Sequence, residues 1–391
     1  MPLLSHFLCK LSNNLTRRWV NNSALPGKRP GDFSITHALY RVRSDTLDQK
    51  QPSTAATMKD VAEHAGVSTA TVSRALMNPE KVSAATRQKV EQAVLAVGYA
   101  PNGLARNARR SETQTILVIV PDICDPFFSE IIRGVEVTAA QAGYLVLIGD
   151  CAHQDQQEKT FLNLMLTRQI DGMVLLGSQL PFDAGIDEQR NLPPMVMGNE
   201  FAPEMALPTV HIDNLTAAFE AVNHLLQLGH RQIACITGPE RIPLSQYRLQ
   251  GYIQALRRSN IAIDPTLIVH GDFTFEAGAS ALKKLMALPK PPKALFCHSD
   301  LMALGAINQA RKLGMRVPDD LSVVGFDDIE LAQYYDPPLT TVAQPRFAIG
   351  REAMLLLLDE LHGKRVNNGS RLLDAELRIR GSTAPALKRE N

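Results

Sequence analysis

The sequence is short of cysteine, short of aromatic residues and free of long apolar runs. Its five cysteines, Cys9, Cys124, Cys151, Cys235 and Cys297, are scattered, with no CxxC and no Cys/His grouping. That removes zinc ribbons, redox motifs and a disulfide-built secreted domain. Cys235 sits in the apolar run Ile233–Ile236 and reads as a small buried hydrophobe. No stretch reaches the roughly 18 apolar residues of a membrane-spanning helix. With 45% apolar and 5% aromatic residues, the composition suits a soluble globular chain. No export signal is visible: Leu3, Leu4, Phe7 and Leu8 are interrupted by Ser5 and His6 and end at Cys9-Lys10. The expected location is the cytoplasm, which disfavours an exported binding protein. Phosphate-cradling loops are missing too, with neither GxGxxG after the first strand-like run nor a Gly-Lys-Ser/Thr loop. His298-Ser299-Asp300 carries the letters of a hydrolase triad, but adjacent residues of a strand point to opposite faces. A nucleoside-processing or other enzyme is thereby disfavoured, and no catalytic residue, metal or cofactor is expected.

What is present is uneven charge. Residues 1–112 hold 16 Lys/Arg against 8 Asp/Glu, and the remainder holds 25 against 32. A basic module on an acidic body attracts phosphate without making the body adhesive. The 391 residues also exceed what one core usually covers, so a small domain plus a larger one is expected. Residues 1–56 show no sustained period and are punctuated by Asn13-Asn14, Asn21-Asn22, Pro26-Gly27 and Pro30-Gly31. They are expected to be a disordered extension or the product of a start placed too far upstream.

From Thr57 the pattern becomes helical. Thr57 with Asp60 three residues on marks a capped helix start, and Gly66 breaks that helix. Ser68 then caps a second helix ending near Met77, with Val72, Ala75 and Leu76 on one side and Ala70, Ser73 and Arg74 on the other. Ser83 caps a third, in which Val90, Val94 and Val97 complete a mini-core before Gly98. Two short helices joined by a tight turn, the second opened by small polar residues, match the helix-turn-helix that lies across a major groove of double-stranded DNA. A generic three-helix bundle for protein contact is the alternative the pattern leaves open. Thr69 and Ala70 would then approach base edges most closely. The helix-turn-helix domain is taken as 57–101, with a linker at 102–112.

Beyond residue 113, short apolar runs alternate with helical stretches: Thr115–Pro121, Tyr144–Asp150, Gly172–Gly177, Pro194–Asn199, Ile233–Gly238, Ala294–Asp300 and Leu321–Asp327. Such runs imply an α/β fold with parallel sheets covered on both faces. About a dozen strands are too many for one ordinary sheet, which favours two lobes. Several runs end in acids or amides, where open parallel sheets bind ligands.

The run Asp60-Val-Ala-Glu-His-Ala-Gly-Val-Ser-Thr-Ala-Thr-Val-Ser-Arg-Ala-Leu-Met-Asn-Pro79, followed by Gly98-Tyr-Ala-Pro-Asn102, strongly resembles the lactose and galactose repressor family of bacterial transcription regulators. The resemblance implies base reading by Thr69, Ala70 and Arg74, and phosphate contacts from Ser68, Thr71 and Ser73. Asn102 and Arg106 are further DNA contacts on the linker. Family members place a leucine in a hinge helix that wedges into the minor groove; here Ala108 holds that place and Gly103 weakens the helix. A flexible hinge is expected, with Arg106, Arg109 and Arg110 adding salt-sensitive affinity.

The resemblance continues over 113–391. It implies the two-lobed fold of periplasmic sugar-binding proteins, with crossovers near 212, 341 and 373, and a homodimer. Asp125, Phe127, Phe128, Asp150, Arg248, Phe273 and Asp300 are the implied effector-binding residues. Asp300 could instead cap the helix beginning at Leu301, and Phe127 or Phe128 could be core. Leu117–Gly134 and Asp150–Gln154 look most like the nucleoside-responsive branch of the family. That implies cytidine as inducer, control of nucleoside uptake and breakdown, and joint DNA binding with the cyclic-AMP receptor protein. Another sugar or a purine is the alternative effector.

Overall fold

A computed structural model of the chain describes residues 56–99, 113–151, 161, 164, 167–178, 193–201, 207–364 and 370–386. The extension expected to be disordered lies outside these residues except for Ala56. Cys9 and the hinge with Asn102, Arg106 and Ala108 lie outside them entirely. The chain forms two compact units that divide between Pro101 and Asn102.

The first unit is three helices, and each begins on a side-chain cap. Helix α1, Met58–Ala65, has a reciprocal capping box. The Thr57 amide donates to Asp60 Oδ2 at 2.6 Å, and the Asp60 amide returns a bond to Thr57 Oγ1 at 3.4 Å. Gly66 ends α1 at φ 65°, a conformation that costs glycine little. Helix α2, Thr69–Met77, starts on Ser68, whose Oγ accepts from the Thr71 amide at 3.2 Å. Helix α3, Ala84–Val97, is capped by Ser83 and closed by Gly98. Val61, Ala62, Val72, Ala75, Val90 and Ala93 form the core, with Val94 and Val97 packed partly against it. The inward ridge of α3 is therefore the expected Val90 with Ala93, three residues apart, and Val94 and Val97 flank it.

The second unit contains β1 (Thr115–Val120), α4 (Phe127–Gln141), β2 (Leu145–Asp150), β3 (Gly172–Leu175), β4 (Met195–Gly198) and β5 (Thr209–Ile212). There follow α5 (Asn214–Gln227), β6 (Ile233–Thr237), α6 (Pro243–Arg258), β7 (Ile268–His270), α7 (Phe275–Met286) and β8 (Ala294–Cys297). The series continues through α8 (Asp300–Lys312), β9 (Ser322–Asp327), α9 (Glu330–Tyr334), β10 (Thr340–Ala343), α10 (Arg346–Leu361), β11 (Ser370–Leu373) and β12 (Glu376–Arg378).

These strands form two six-stranded sheets, ordered β11-β5-β4-β3-β1-β2 and β12-β10-β9-β8-β6-β7. Every pair is parallel except β10 with β12. Strands β3, β5, β6, β8 and β9 are buried along their whole length, as sheets covered by helices on both faces require. The chain leaves the first sheet after β5, returns after β10 and leaves again after β11. Cys235 and Cys297 are buried, whereas Cys124 is exposed.

Helix α10 returns to the first lobe by lying against α4. Its approach is close enough that a Cβ on Gly350 would collide with the Ile131 carbonyl, and one on Gly134 with the Phe347 carbonyl. Backbone cannot yield as a side-chain tip can, so Gly350→Ala is expected to destabilise the protein by about 1–3 kcal/mol, the usual cost of overpacking. Denaturant unfolding followed by circular dichroism checks this.

Candidate effector cavity and DNA-facing helix

On α2 the buried pair Val72 and Ala75 holds one side to the core. Thr69, Ala70 and Arg74 are exposed on the other side, with Thr71 and Ser73 half-buried. Ser68 Oγ and Thr71 Oγ1 lie 2.9 Å apart. One hydroxyl donates to the other, so one hydroxyl hydrogen stays available to an outside acceptor. The helix thus presents an arginine, a methyl group and several hydroxyls on one surface.

In the second unit a cavity of about 670 Å³ opens at the carboxyl ends of the strands. Asp125, Phe127, Phe128, Arg248 and Phe273 all line it. Asp125 prepares the start of α4, accepting from the Phe127 amide at 2.9 Å, and burial pushes its carboxyl upward from its ordinary value. Phe127 and Phe128 meet edge to face, 5.1 Å between centroids.

Phe273 stands before α7 with φ 70°, a left-handed backbone unusual for an aromatic residue. Its ring fills the space above Gly238, where any Cβ would collide with it. Two other lining residues share a positive φ, Asn199 at 70° and Asp327 at 118°. Strained backbone of this kind persists where surrounding packing over-determines it, and it concentrates at ligand sites.

Arg248 projects from α6 and is 3% exposed. Its Nε donates to Asn214 Oδ1 at 2.8 Å and its Nη1 to the His298 carbonyl at 2.5 Å. The guanidinium lies 3.7 Å over the Phe326 ring, and Nη1 is 3.9 Å from Asp327 Oδ1. Asp327 also accepts from Gln344 Nε2 at 2.8 Å. Burial pushes the Asp327 carboxyl up to about 7, against the pull of Arg248. This Arg248–Asp327 pair forms the polar floor of the cavity.

Asp150 and Asp300 are not among the lining residues. Asp150 Oδ1 accepts from the Ile123 amide at 3.1 Å and so holds the loop before α4. Asp300 is fully buried: Oδ2 accepts from the Ile329 amide at 2.9 Å and Oδ1 from Thr341 Oγ1 at 2.5 Å. It is the first residue of α8, and Ser299 supplies the cap by accepting from the Met302 amide. Burial and the nearby Asp327 push the Asp300 carboxyl well up, although Thr341 and Ile329 oppose this.

The reading of the sequence missed Asp327, Asn199 and Glu200 as lining residues, although Asp327 and Asn199 close apolar runs noted there. It also missed Cys124, which lies at the cavity rather than in the core.

Residues 57–102 match the model for bacterial regulatory proteins of the lacI family, and residues 222–383 match a periplasmic binding protein-like domain. The chain is 70% identical over 337 residues to the HTH-type transcriptional repressor CytR of Escherichia coli (strain K12), covering 86% of this chain and 99% of the relative. This chain belongs to the LacI family. It is a DNA-binding regulator of transcription. A second family member, catabolite control protein A of Priestia megaterium, is 35% identical over 329 residues, covering 84% and 99% of the two chains.

Among solved structures, the Lac repressor dimer bound to operator and the anti-inducer ONPF aligns with a TM-score of 0.75 at 30% identity. That alignment covers 85% of this chain and all of the other. A transcriptional regulator CelR–cellobiose complex aligns with a TM-score of 0.64 at 32% identity, covering 84% and 99%. The helix-turn-helix and the two-lobed body with parallel sheets are therefore those of a LacI-family protein. Among the described residues no helix is long and apolar enough to cross a membrane.

Asp300→Ala would leave the Ile329 amide and the Thr341 hydroxyl buried without their acceptor. Each orphaned donor costs about 1–3 kcal/mol, so a marked fall in unfolding free energy is expected, and denaturant titration at fixed pH checks it.

Proposed function

We propose that the chain represses genes of nucleoside uptake and breakdown, with cytidine as inducer. In this reading it binds operator DNA as a homodimer together with the cyclic-AMP receptor protein. The observation that carries the effector reading is the cavity itself. Phe127, Phe128 and Phe273 offer apolar faces to a planar ring, and half-buried Asp125 with buried Asp327 and Arg248 offer polar groups to sugar hydroxyls. Its volume lies within the roughly 300–1,000 Å³ usual for small-molecule sites. The 70% identity to a transcriptional repressor supports the repressing role.

The proposed division of labour on DNA follows from side-chain chemistry. Thr69, Ala70 and Arg74 read bases, whereas Ser68, Thr71, Ser73, Asn102 and Arg106 hold phosphates and set the register. Ala108 is too small to pry apart a base step, so the proposed hinge tolerates variable half-site spacing. Asp150 and Asp300 support the cavity from behind rather than touching the effector. Effector binding and the DNA-bound state are coupled by a finite free energy, typically about 1–3 kcal/mol.

Calorimetric titration of the full chain with cytidine, uridine, adenosine and ribose tests the effector. Cytidine is expected to bind most tightly, and Phe273→Ala to weaken it tenfold or more, about 1.4 kcal/mol. Preference for a purine nucleoside or a free sugar would retain the family and overturn cytidine. In gel-shift measurements, Arg74→Ala is expected to cost about 1–3 kcal/mol of discrimination between operator and unrelated DNA. An equal loss on both DNAs would make Arg74 a phosphate contact instead.

A further inference from the structure

Asn199 and Glu200 follow strand β4, line the cavity and are each 5% exposed. Glu200 Oε2 and Asn199 Oδ1 have no hydrogen-bond partner among the described residues. Two buried oxygens that lack partners, on consecutive residues that both line one ligand-sized cavity, call for partners from outside the chain.

The charges around Glu200 leave it unpaired. Arg248 on α6 bonds Asn214 and the His298 carbonyl and lies 3.9 Å from Asp327, and it forms no ion pair with Glu200. Arg241, also at the cavity, is exposed, and no ion pair joins Glu200 to a cation among the described residues. Asp125 and Asp327 border the same cavity. On β5, His211 stacks on Phe201 at 4.8 Å, and Tyr247 of α6 meets that ring at 5.2 Å. Burial disfavours the charged form of His211, so it supplies no counter-charge. Burial likewise pushes the Glu200 carboxyl up to about 8, against the pull of Arg248 and the amides of Leu244 and Phe201.

We infer that Glu200 and Asn199 read the hydrogen-bonding edge of the effector, Glu200 as an uncharged acid that donates to a ring acceptor while Asn199 Oδ1 receives the adjacent hydrogen. This rests on the nucleoside reading above. An amino group beside an unprotonated ring nitrogen, as on a 4-aminopyrimidine, supplies both partners. Ionisation of Glu200 removes the donor and sets a negative charge against the lone pair of the ring.

The test compares the full chain with Glu200→Gln, whose amide keeps a donor at that point and cannot ionise. Without ligand, a carboxyl that titrates high only when folded stabilises the protein below its ordinary value and loses that contribution as pH rises to about 8. The Tm of the wild type relative to the glutamine variant should therefore fall steadily between about pH 5 and pH 8 and level off above. Asp327 titrates in both proteins and cancels. A relative Tm that stays constant over this range overturns the uncharged acid.

With ligand, cytidine, uridine and adenosine are titrated across the same range. Cytidine and adenosine, which carry an amino group beside an unprotonated ring nitrogen, should bind more tightly than uridine. Wild-type affinity for the tighter of them should weaken as pH passes about 8, approaching tenfold per pH unit. Uridine as the tightest ligand overturns the reading of the edge. Glu200→Gln should stay within about threefold of wild type at pH 7 and lose this dependence, whereas Glu200→Ala should weaken binding about tenfold. A wild-type profile that is flat above pH 8, or a glutamine variant as weak as alanine, overturns the reading of the edge while leaving the nucleoside effector standing. If none of the three binds, the nucleoside reading fails and the edge-reading role falls with it, whatever the Tm profile shows.

Discussion

The body is organised around one buried guanidinium. Arg248 is held by a side-chain amide from α5, a backbone carbonyl after β8, the face of Phe326 and the carboxylate of Asp327. A buried cation is tolerable only when its donors are occupied and a counter-charge is near. Meeting that condition fixes α5, α6, β8 and β9 relative to one another at the carboxyl end of the second sheet. The cavity floor follows, because the charge that must be neutralised within the protein is also a charge available to a ligand. Burial drives Glu200, Asp300 and Asp327 toward their uncharged forms, and the positive charge of Arg248 opposes this at Glu200 and Asp327.

The rim is built differently, by backbone that is out of its comfortable range. Phe273 and Asn199 have positive φ in two separate loops, and at the floor Asp327, the last residue of β9, shares it. Two of them have visible supports, Phe273 in the bare surface of Gly238 and Asp327 in Gln344 and the Arg248 pair. The two devices divide the work, since buried charge sets which hydrogen-bonding groups are offered and strained loops set where the aromatic face stands.

Much of this was legible in the chain and some was not, for physical reasons. The helix-turn-helix was open to reading because caps are local: Thr57, Gly66, Ser68, Ser83 and Gly98 act on atoms within a few residues of themselves. The long buried strands announced themselves as apolar runs, but β7 and β12 have three residues each and carry no period to detect. Asp300 and Asp327 look alike in sequence, each closing an apolar run. One turns into Thr341 and the Ile329 amide, and the other, at φ 118°, reaches the cavity. That difference depends on contacts 29 and 41 residues away from Asp300, which no local pattern encodes. Glu200 escaped for a similar reason, since two of the groups that act on it, the Leu244 amide and Arg248, come from α6, more than 40 residues along the chain.

The order of the strands in the first sheet bears on how the protein is made. Its outer strand β11 spans Ser370–Leu373, whereas its first strand in the chain, the interior strand β1, begins at Thr115. During synthesis the three-helix unit can close as soon as residue 99 leaves the ribosome. The first lobe of the body must wait, with an edge of β5 uncovered, while β6 to β10 of the second lobe are translated. A nascent chain of this design therefore holds a finished DNA-reading head attached to an unfinished sensor for most of its time on the ribosome.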